Sequence, residues 1–286
     1  MIIHFFRERV KPRIDFFQLI DGYFDTLPNS EIVSNDDEVK ICITMNNFDF
    51  KYCYYITKRT KVSSIYRLNP NFININLYVE IPFFLPQFIS RMIFKEINDI
   101  CEKFELQIYY EKYENIKAFN MFELIDYLGK ERMDYLNENP DVVKYRIHMN
   151  VLNDMCAYQQ LLDYYHQVIN SEFIANKYTI LADNRTGEVR NSIIWPAGSA
   201  MIFPPHLSYI QVVEDDNLVA LIPVEMFYRY ANRYMSELKD GKISFKVLYL
   251  NEKSALKVKK LVKKMRKAIV SLNDFTQIKL TDLIEY

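Results

Sequence analysis

Asn76-Leu-Tyr-Val-Glu-Ile-Pro82 returns 141 positions later as Asn217-Leu-Val-Ala-Leu-Ile-Pro223, and the correspondence runs without a gap from Asn76–Lys112 to Asn217–Lys253. Further identities fall at Glu96/Glu237, Asp99/Asp240, Phe104/Phe245, Glu111/Glu252 and Lys112/Lys253. Unrelated segments of this composition share roughly two or three identities over such a length, so the pattern predicts an internal duplication. Each copy opens on an apolar run ending at Ile-Pro, the reading of a buried strand closed by a residue with fixed φ and no N–H. A helical stripe follows, Phe84, Phe88, Met92, Ile97 and Ile100 in one copy and Met226, Phe227, Tyr230, Tyr234 and Leu238 in the other. A second strand begins at Phe104 and at Phe245. The unit is strand, helix, strand, with a further helix downstream, and a helix laid on a sheet buries both apolar faces at once.

Outward from that unit, the first half predicts a helix over 14–27, strands over 39–44, 48–57 and 72–81, and a helix over 118–137. A long helix over 141–169, entered just after Pro140, carries a stripe wide enough to touch several neighbours and is expected to join the halves. The second half predicts strands over 178–182, 189–195, 200–203, 209–213 and 218–222, a helix over 224–238, a strand over 243–250 and a helix over 254–272. Residues 273–286 read as a mixed acidic and apolar tail. The expected fold is therefore α+β: two related halves, 1–138 and 139–286, each an antiparallel sheet covered by helices, joined by a long central helix.

Composition excludes more than it assigns. In 286 residues, 50% hydrophobic and 15% aromatic content supplies a core and argues against disorder. A net charge of −1 gives no global bias toward nucleic acid or acidic partners. The abundance of Ile, Asn, Lys, Tyr and Phe is what AT-rich coding produces. Five isolated glycines, Gly22, Gly129, Gly187, Gly198 and Gly241, form neither a G-x-G-x-x-G nor a P-loop, so a backbone phosphate cradle of the Rossmann or Walker kind is not expected. Cys42, Cys53, Cys101 and Cys156 lack C-x-x-C spacing and sit in apolar patterns, which predicts buried free thiols in a reducing compartment. Met1-Ile-Ile-His-Phe-Phe-Arg-Glu-Arg9 is too short and too charged for a signal peptide, and no apolar run reaches spanning length. The expectation is a cytoplasmic protein that does not cross a membrane.

The strongest local chemistry lies in the last helix. Lys253, Lys257, Lys260, Lys264 and Lys267 share one face, Lys259, Lys263 and Arg266 flank it, and Val258, Leu261, Val262, Met265, Ile269 and Leu272 line the other. Such a face suits phosphates, anionic lipid or an acidic partner; the plainer alternative is a solvated surface. The corresponding helix of the first copy carries Glu123, Asp126 and Glu131, so the architecture does not demand a basic face, and a rival reading sets the acidic face against the basic one, within or between chains. Trp195-Pro-Ala-Gly-Ser199 and Pro204-Pro-His206 bracket a short strand that could shape a pocket or a docking knob. Ser199 and His206 lack G-x-S-x-G context and an acid placed by motif, which favours a structural turn. His148 and His166 would lie about 27 Å apart on one helix and cannot share a metal.

No catalytic residue, cofactor or metal site is assigned. The leading expectation is a non-catalytic protein–protein interaction module of immunity, adaptor or chaperone-like kind, with another protein as partner. Nucleic-acid or anionic-surface binding through the basic helix is the alternative, and an enzyme with a scattered site the third. The candidate contact residues are Lys253, Lys257, Lys260, Lys264, Lys267, Trp195 and His206.

Overall fold

The structure is a computed structural model and describes residues 1–63, 65–142, 144–169, 173–215, 217–239, 244–265 and 269–286. The chain is mixed α and β and divides into two compact units, Met1–Val142 and Val143–Tyr286.

The first unit runs β1 (Ile2–Glu8), α1 (Phe16–Ile20), β2 (Ser30–Ser34), β3 (Glu38–Met45), β4 (Phe50–Thr57), β5 (Phe72–Glu80), α2 (Gln87–Phe104), β6 (Leu106–Tyr110) and α3 (Met121–Glu138). Its six-stranded sheet has the order β2-β3-β4-β5-β1-β6, every neighbouring pair antiparallel. The sequence places β3 to β6 where they occur. It misses β1, whose Arg7, Glu8 and Arg9 mask a run in which Ile3, Phe5 and Phe6 are all buried. The helix expected over 14–27 shortens to α1, capped by Asp15 and Gln18, followed by a 3₁₀ turn at Phe24–Thr26.

Two opposite faces of β1 are buried. Ile3 and Phe5, two apart, share one face, and Phe5 lies 6.3 Å from Tyr54 of β4 between ring centroids. Phe6, on the other face, packs with Val62, Leu68 and Ile116 in a small core beneath the loops. α2 buries Ile89, Ile93, Phe94, Ile97, Ile100 and Cys101; of the stripe expected from the sequence, Ile97 and Ile100 are buried, Phe88 and Met92 are half-buried, and Phe84 precedes the helix. It stops at Glu105, whose left-handed φ of 52° turns its N–H back to the carbonyls of Cys101 and Glu102. Tyr52 and Tyr54 of β4 reach up to α2 and donate hydroxyls to the Glu96 carboxylate at 2.7 and 2.9 Å. Burial holds the Glu96 pKa above the usual carboxylate range, and the two phenols partly offset it.

Cys42 and Cys53 stand directly opposite each other in β3 and β4, with Cα atoms 4.2 Å apart, and form a disulfide. The expectation of four free thiols is corrected here. The bridge depends on the hairpin register, which carries no C-x-x-C signature. Cys101 and Cys156 are free and buried; burial pushes the Cys101 thiol up to about 12. Among the described residues no helix is long and apolar enough to cross a membrane.

The second unit runs β7 (Tyr145–Ile147), α4 (Met149–Gln160), α5 (Leu162–Ile169), β8 (Thr179–Asp183), β9 (Val189–Pro196), β10 (Met201–Phe203), β11 (Tyr209–Glu214), β12 (Asn217–Pro223), α6 (Val224–Ala231), β13 (Ser236–Leu238), β14 (Val247–Leu250), α7 (Glu252–Met265), β15 (Phe275–Ile278) and β16 (Leu283–Glu285). A five-stranded sheet has the order β12-β11-β9-β8-β15, a three-stranded one β10-β14-β13, and a two-stranded one β16-β7.

Four expectations fail in this unit, the first being the helix over 224–238, which ends at Ala231 before Ser236–Leu238 forms β13. The unit's sheets are not all antiparallel, because β9 pairs with β11, and β7 with β16, in parallel. Between β9 and β11 the chain leaves to form β10 in another sheet, so it re-enters pointing the same way. The single helix expected over 141–169 does not form either. Tyr145–Ile147 is drawn into a strand by β16, His148 caps α4 by accepting the N–H of Asn150, and the helix breaks at Leu161, where φ is −93° and ψ 6°. The duplicated stretches, finally, keep the order strand, helix, strand but not equivalent places. β5 lies inside its sheet and β12 at an edge; α2 has 18 residues and α6 has 8; β6 shares the sheet of β5, whereas β14 lies in a different sheet from β12. Asp240, Gly241 and Ile243 of the second copy lie outside the described residues.

Two measurements check this arrangement. Alkylation of the denatured, unreduced protein should modify two cysteines and after reduction four. Loss of the Cys42–Cys53 bridge should lower stability by about 2–3 kcal/mol, the loop-closure value for so short a ring. His4 lies between Tyr78 and Tyr109, and burial lowers its pKa from 6.5 to about 4. Its contribution is therefore complete above pH 6.5 and is lost as pH falls toward 4, where the unfolded chain binds the proton and the folded one does not. In denaturant titrations at stepped pH, His4→Phe should lack that acid slope; the opposite slope from Glu96 is common to both proteins and cancels in the difference.

Candidate functional site

α7 begins where Asn251 accepts the N–H of Ser254 at 2.9 Å, a side-chain cap on the first turn. Ala255, Val258, Val262 and Met265 recur at helical spacing and are buried against the unit, which includes α6. The opposite face is cationic as the sequence predicts: Lys253, Lys257, Lys259, Lys260, Lys263 and Lys264 are all exposed. Lys267 and Arg266 lie outside the described residues. Within the unit, and among the described residues, none of these six ammonium groups has a carboxylate within ion-pair distance. Lys257 lies 5.9 Å from the ring centre of Tyr234. The row from Lys253 to Lys264 extends about 16 Å along the helix.

The acids of α3 are engaged at home. Glu123 pairs with Lys117 at 2.7 Å, and Glu131 accepts the hydroxyl of Tyr110. Burial raises the Glu131 pKa. Of these two acids, only Glu123 is paired with a cation among the described residues.

Trp195 is fully buried, with its ring edge-on to Phe227 and tilted against Phe203, and its Nε1 donates to the Ser199 carbonyl at 3.1 Å. It is a core residue. Its role for the lysine face is indirect. Gly198 has a φ of 97°, and a Cβ there would meet the Lys259 Cδ at 3.1 Å and the Leu256 Cδ2 at 3.3 Å. The turn that Trp195 anchors thus lies against the stem of α7.

His206 is held by a partner that no motif announces. Its Nε2 lies 2.7 Å from the Asp154 Oδ2, on α4, and about a third of each side chain is exposed. Its backbone is left-handed at φ 55°, an uncommon state for a residue with a Cβ. The turn is pinned further: Asn191 Nδ2 donates to the His206 carbonyl at 3.2 Å, and Tyr178 donates to the Pro205 carbonyl at 2.7 Å. Burial holds the Tyr178 phenol far above its usual range. Asp154 could be found only through the fold, since 52 residues separate it from His206. Ser199 is bound into the Trp195 turn and His206 onto α4, so the structure does not bring them together as nucleophile and base. Among the described residues no group of three or more His, Cys, Asp or Glu is arranged to hold a metal ion.

Comparisons of the chain with protein-family models, with curated proteins and with solved structures return no match.

Two glycine substitutions test the turn beneath α7. Gly198→Ala should cost about 1–2 kcal/mol, from the forced left-handed backbone and the contact with Lys259. Gly129→Ala, within α3 and with nothing within 4 Å of the added methyl, should raise stability by about 0.5–1 kcal/mol. Denaturant unfolding of the two variants reads both.

Proposed function

We propose that this chain is a non-catalytic binding protein whose contact surface is the lysine face of α7, and that the face engages the phosphate backbone of a nucleic acid. The observation that carries the reading is six exposed lysines on one helix with, among the described residues of their unit, no carboxylate within ion-pair distance. Like charges so placed repel one another, and a polyanion removes that repulsion while releasing its own counterions. The helix turns its apolar side inward, and Val258, Val262 and Met265 are therefore not free to enter a bilayer. That weighs against insertion into lipid. Lysine is a point charge on a flexible stem, suited to contact that does not depend on base sequence. The wider expectation of a protein–protein module shares this face if the partner is acidic.

The test is binding of a labelled random-sequence duplex at stepped salt, followed by anisotropy. Wild-type protein should bind at low salt, with log K falling by roughly 0.9 per phosphate contacted. The triple variant Lys257→Glu, Lys260→Glu, Lys264→Glu should lose binding or show a slope smaller by roughly 3. Absence of duplex binding at low salt, or equal binding by the triple variant, overturns the reading. Selective capture of an acidic protein through the same lysines would replace nucleic acid with that partner.

A further inference from the structure

We infer that the first unit carries a separate ligand site, a groove beside β1 and β5 that takes a small organic phosphate. The groove has a volume of about 530 Å³, within the usual range for small-molecule sites. One wall is the chain leaving β1, from Arg7 to Phe16; the other is Ile73–Asn76 of β5.

A break in the sheet forms it. His4 pairs with Tyr78 but Phe6 with Asn74, so β5 crosses in four residues what β1 crosses in two. The excess is taken up at Asn76, whose φ is 58° and whose N–H is held by the Asn74 Oδ1 at 2.7 Å. Bulges of this kind terminate pairing and re-aim side chains, and a residue with a Cβ seldom adopts the left-handed state. The surrounding strands hold the chain in that state, and strain of this sort gathers at binding sites.

The charge of the lining selects the ligand. Arg7, Arg9, Lys11 and Arg13 line the groove with only Glu8 and Asp15 as acids. Asp15 is committed to capping α1 through the N–H of Phe17. Glu105 is shared by Arg7 at 3.5 Å and Lys11 at 3.3 Å. Arg9 uses its Nε on the Pro70 carbonyl, and its terminal nitrogens have no partner among the described residues. Arg13 has no partner among the described residues. Beside them, the Nε of Arg7 is buried and has no acceptor among the described residues. A phosphate accepts from several guanidinium forks at once, with a geometry that ammonium groups do not match. Ile73, Ile75 and the half-exposed Phe16 supply an apolar surface for the body that bears it. Side chains would thus do what glycine-rich backbone does elsewhere, which is consistent with the scarcity of glycine.

The site lies in the first unit and the lysine helix in the second, so the experiment uses the full chain bearing the α7 triple reversal to silence that face. Calorimetric titration with inorganic pyrophosphate, AMP and ADP, with succinate as a carboxylate control, should show saturable one-to-one binding of the phosphates. ADP should bind more tightly than pyrophosphate because its body meets Phe16 and the isoleucines. Arg9→Ala and Arg13→Ala, both at exposed residues, should each weaken binding at least about tenfold without changing the thermal midpoint. Arg185→Ala, on an exposed turn of the second unit, should leave it unchanged. No saturable binding of any phosphate at millimolar concentration, equal binding by succinate, or affinity indifferent to both groove substitutions overturns the proposal. Those outcomes leave the α7 reading untouched, because its surface is already disabled.

Discussion

Pairing between strands far apart in the chain holds each unit closed. In the first, β1 lies between β5 and β6, so a strand from the start of the unit joins two formed about seventy and a hundred residues later. In the second, β15 pairs with β8 and β16 with β7, so its last strands close upon its first. Such contacts must overcome the entropy of closing long loops before they return any hydrogen bonds, and they do so by burying large apolar side chains with them. Ile3, Phe5 and Phe6 are buried with β1; Phe275, Ile278 and Leu283 are buried with the closing strands of the second unit.

The groove of the first unit exists because β1 and β5 fall out of register between His4 and Phe6 while remaining paired on both sides. The lysine face of the second unit points outward because Val258, Val262 and Met265 are claimed by the interior, with the Trp195 turn set against Leu256 and Lys259. Charge then distinguishes the helices. The carboxylates Glu123 and Glu131 on α3 find partners nearby, whereas the six described ammonium groups of α7 meet no carboxylate among the described residues of their unit. One pattern is absorbed by structure and the other is left for solvent or a ligand.

Legibility followed the range of the interaction responsible. β3, β4 and β5 alternate or run apolar over their own length, and α2 and α7 carry their stripes in consecutive turns, so a local reading finds them. The lysine face was readable for the same reason. The His206–Asp154 pair, the Cys42–Cys53 bridge and the groove were not, since each depends on residues brought together by register or topology. The helix expected over 141–169 shows the converse error: Tyr145-Arg-Ile147 fits a helical stripe locally, but β16 offers it backbone partners from the other end of the unit.

The repeat of Asn-Leu and Ile-Pro marks two strands each leading to a helix, and that much sequence alone determined, together with the amphipathic helices and the cationic face of α7. Which sheet each strand joins, whether its neighbours run parallel, and which charges are left unpaired were decided only in the tertiary structure. The physical reason is that a side-chain pattern specifies which face of an element is buried, whereas the identity of the neighbour is set by backbone hydrogen bonds that every residue but proline can make.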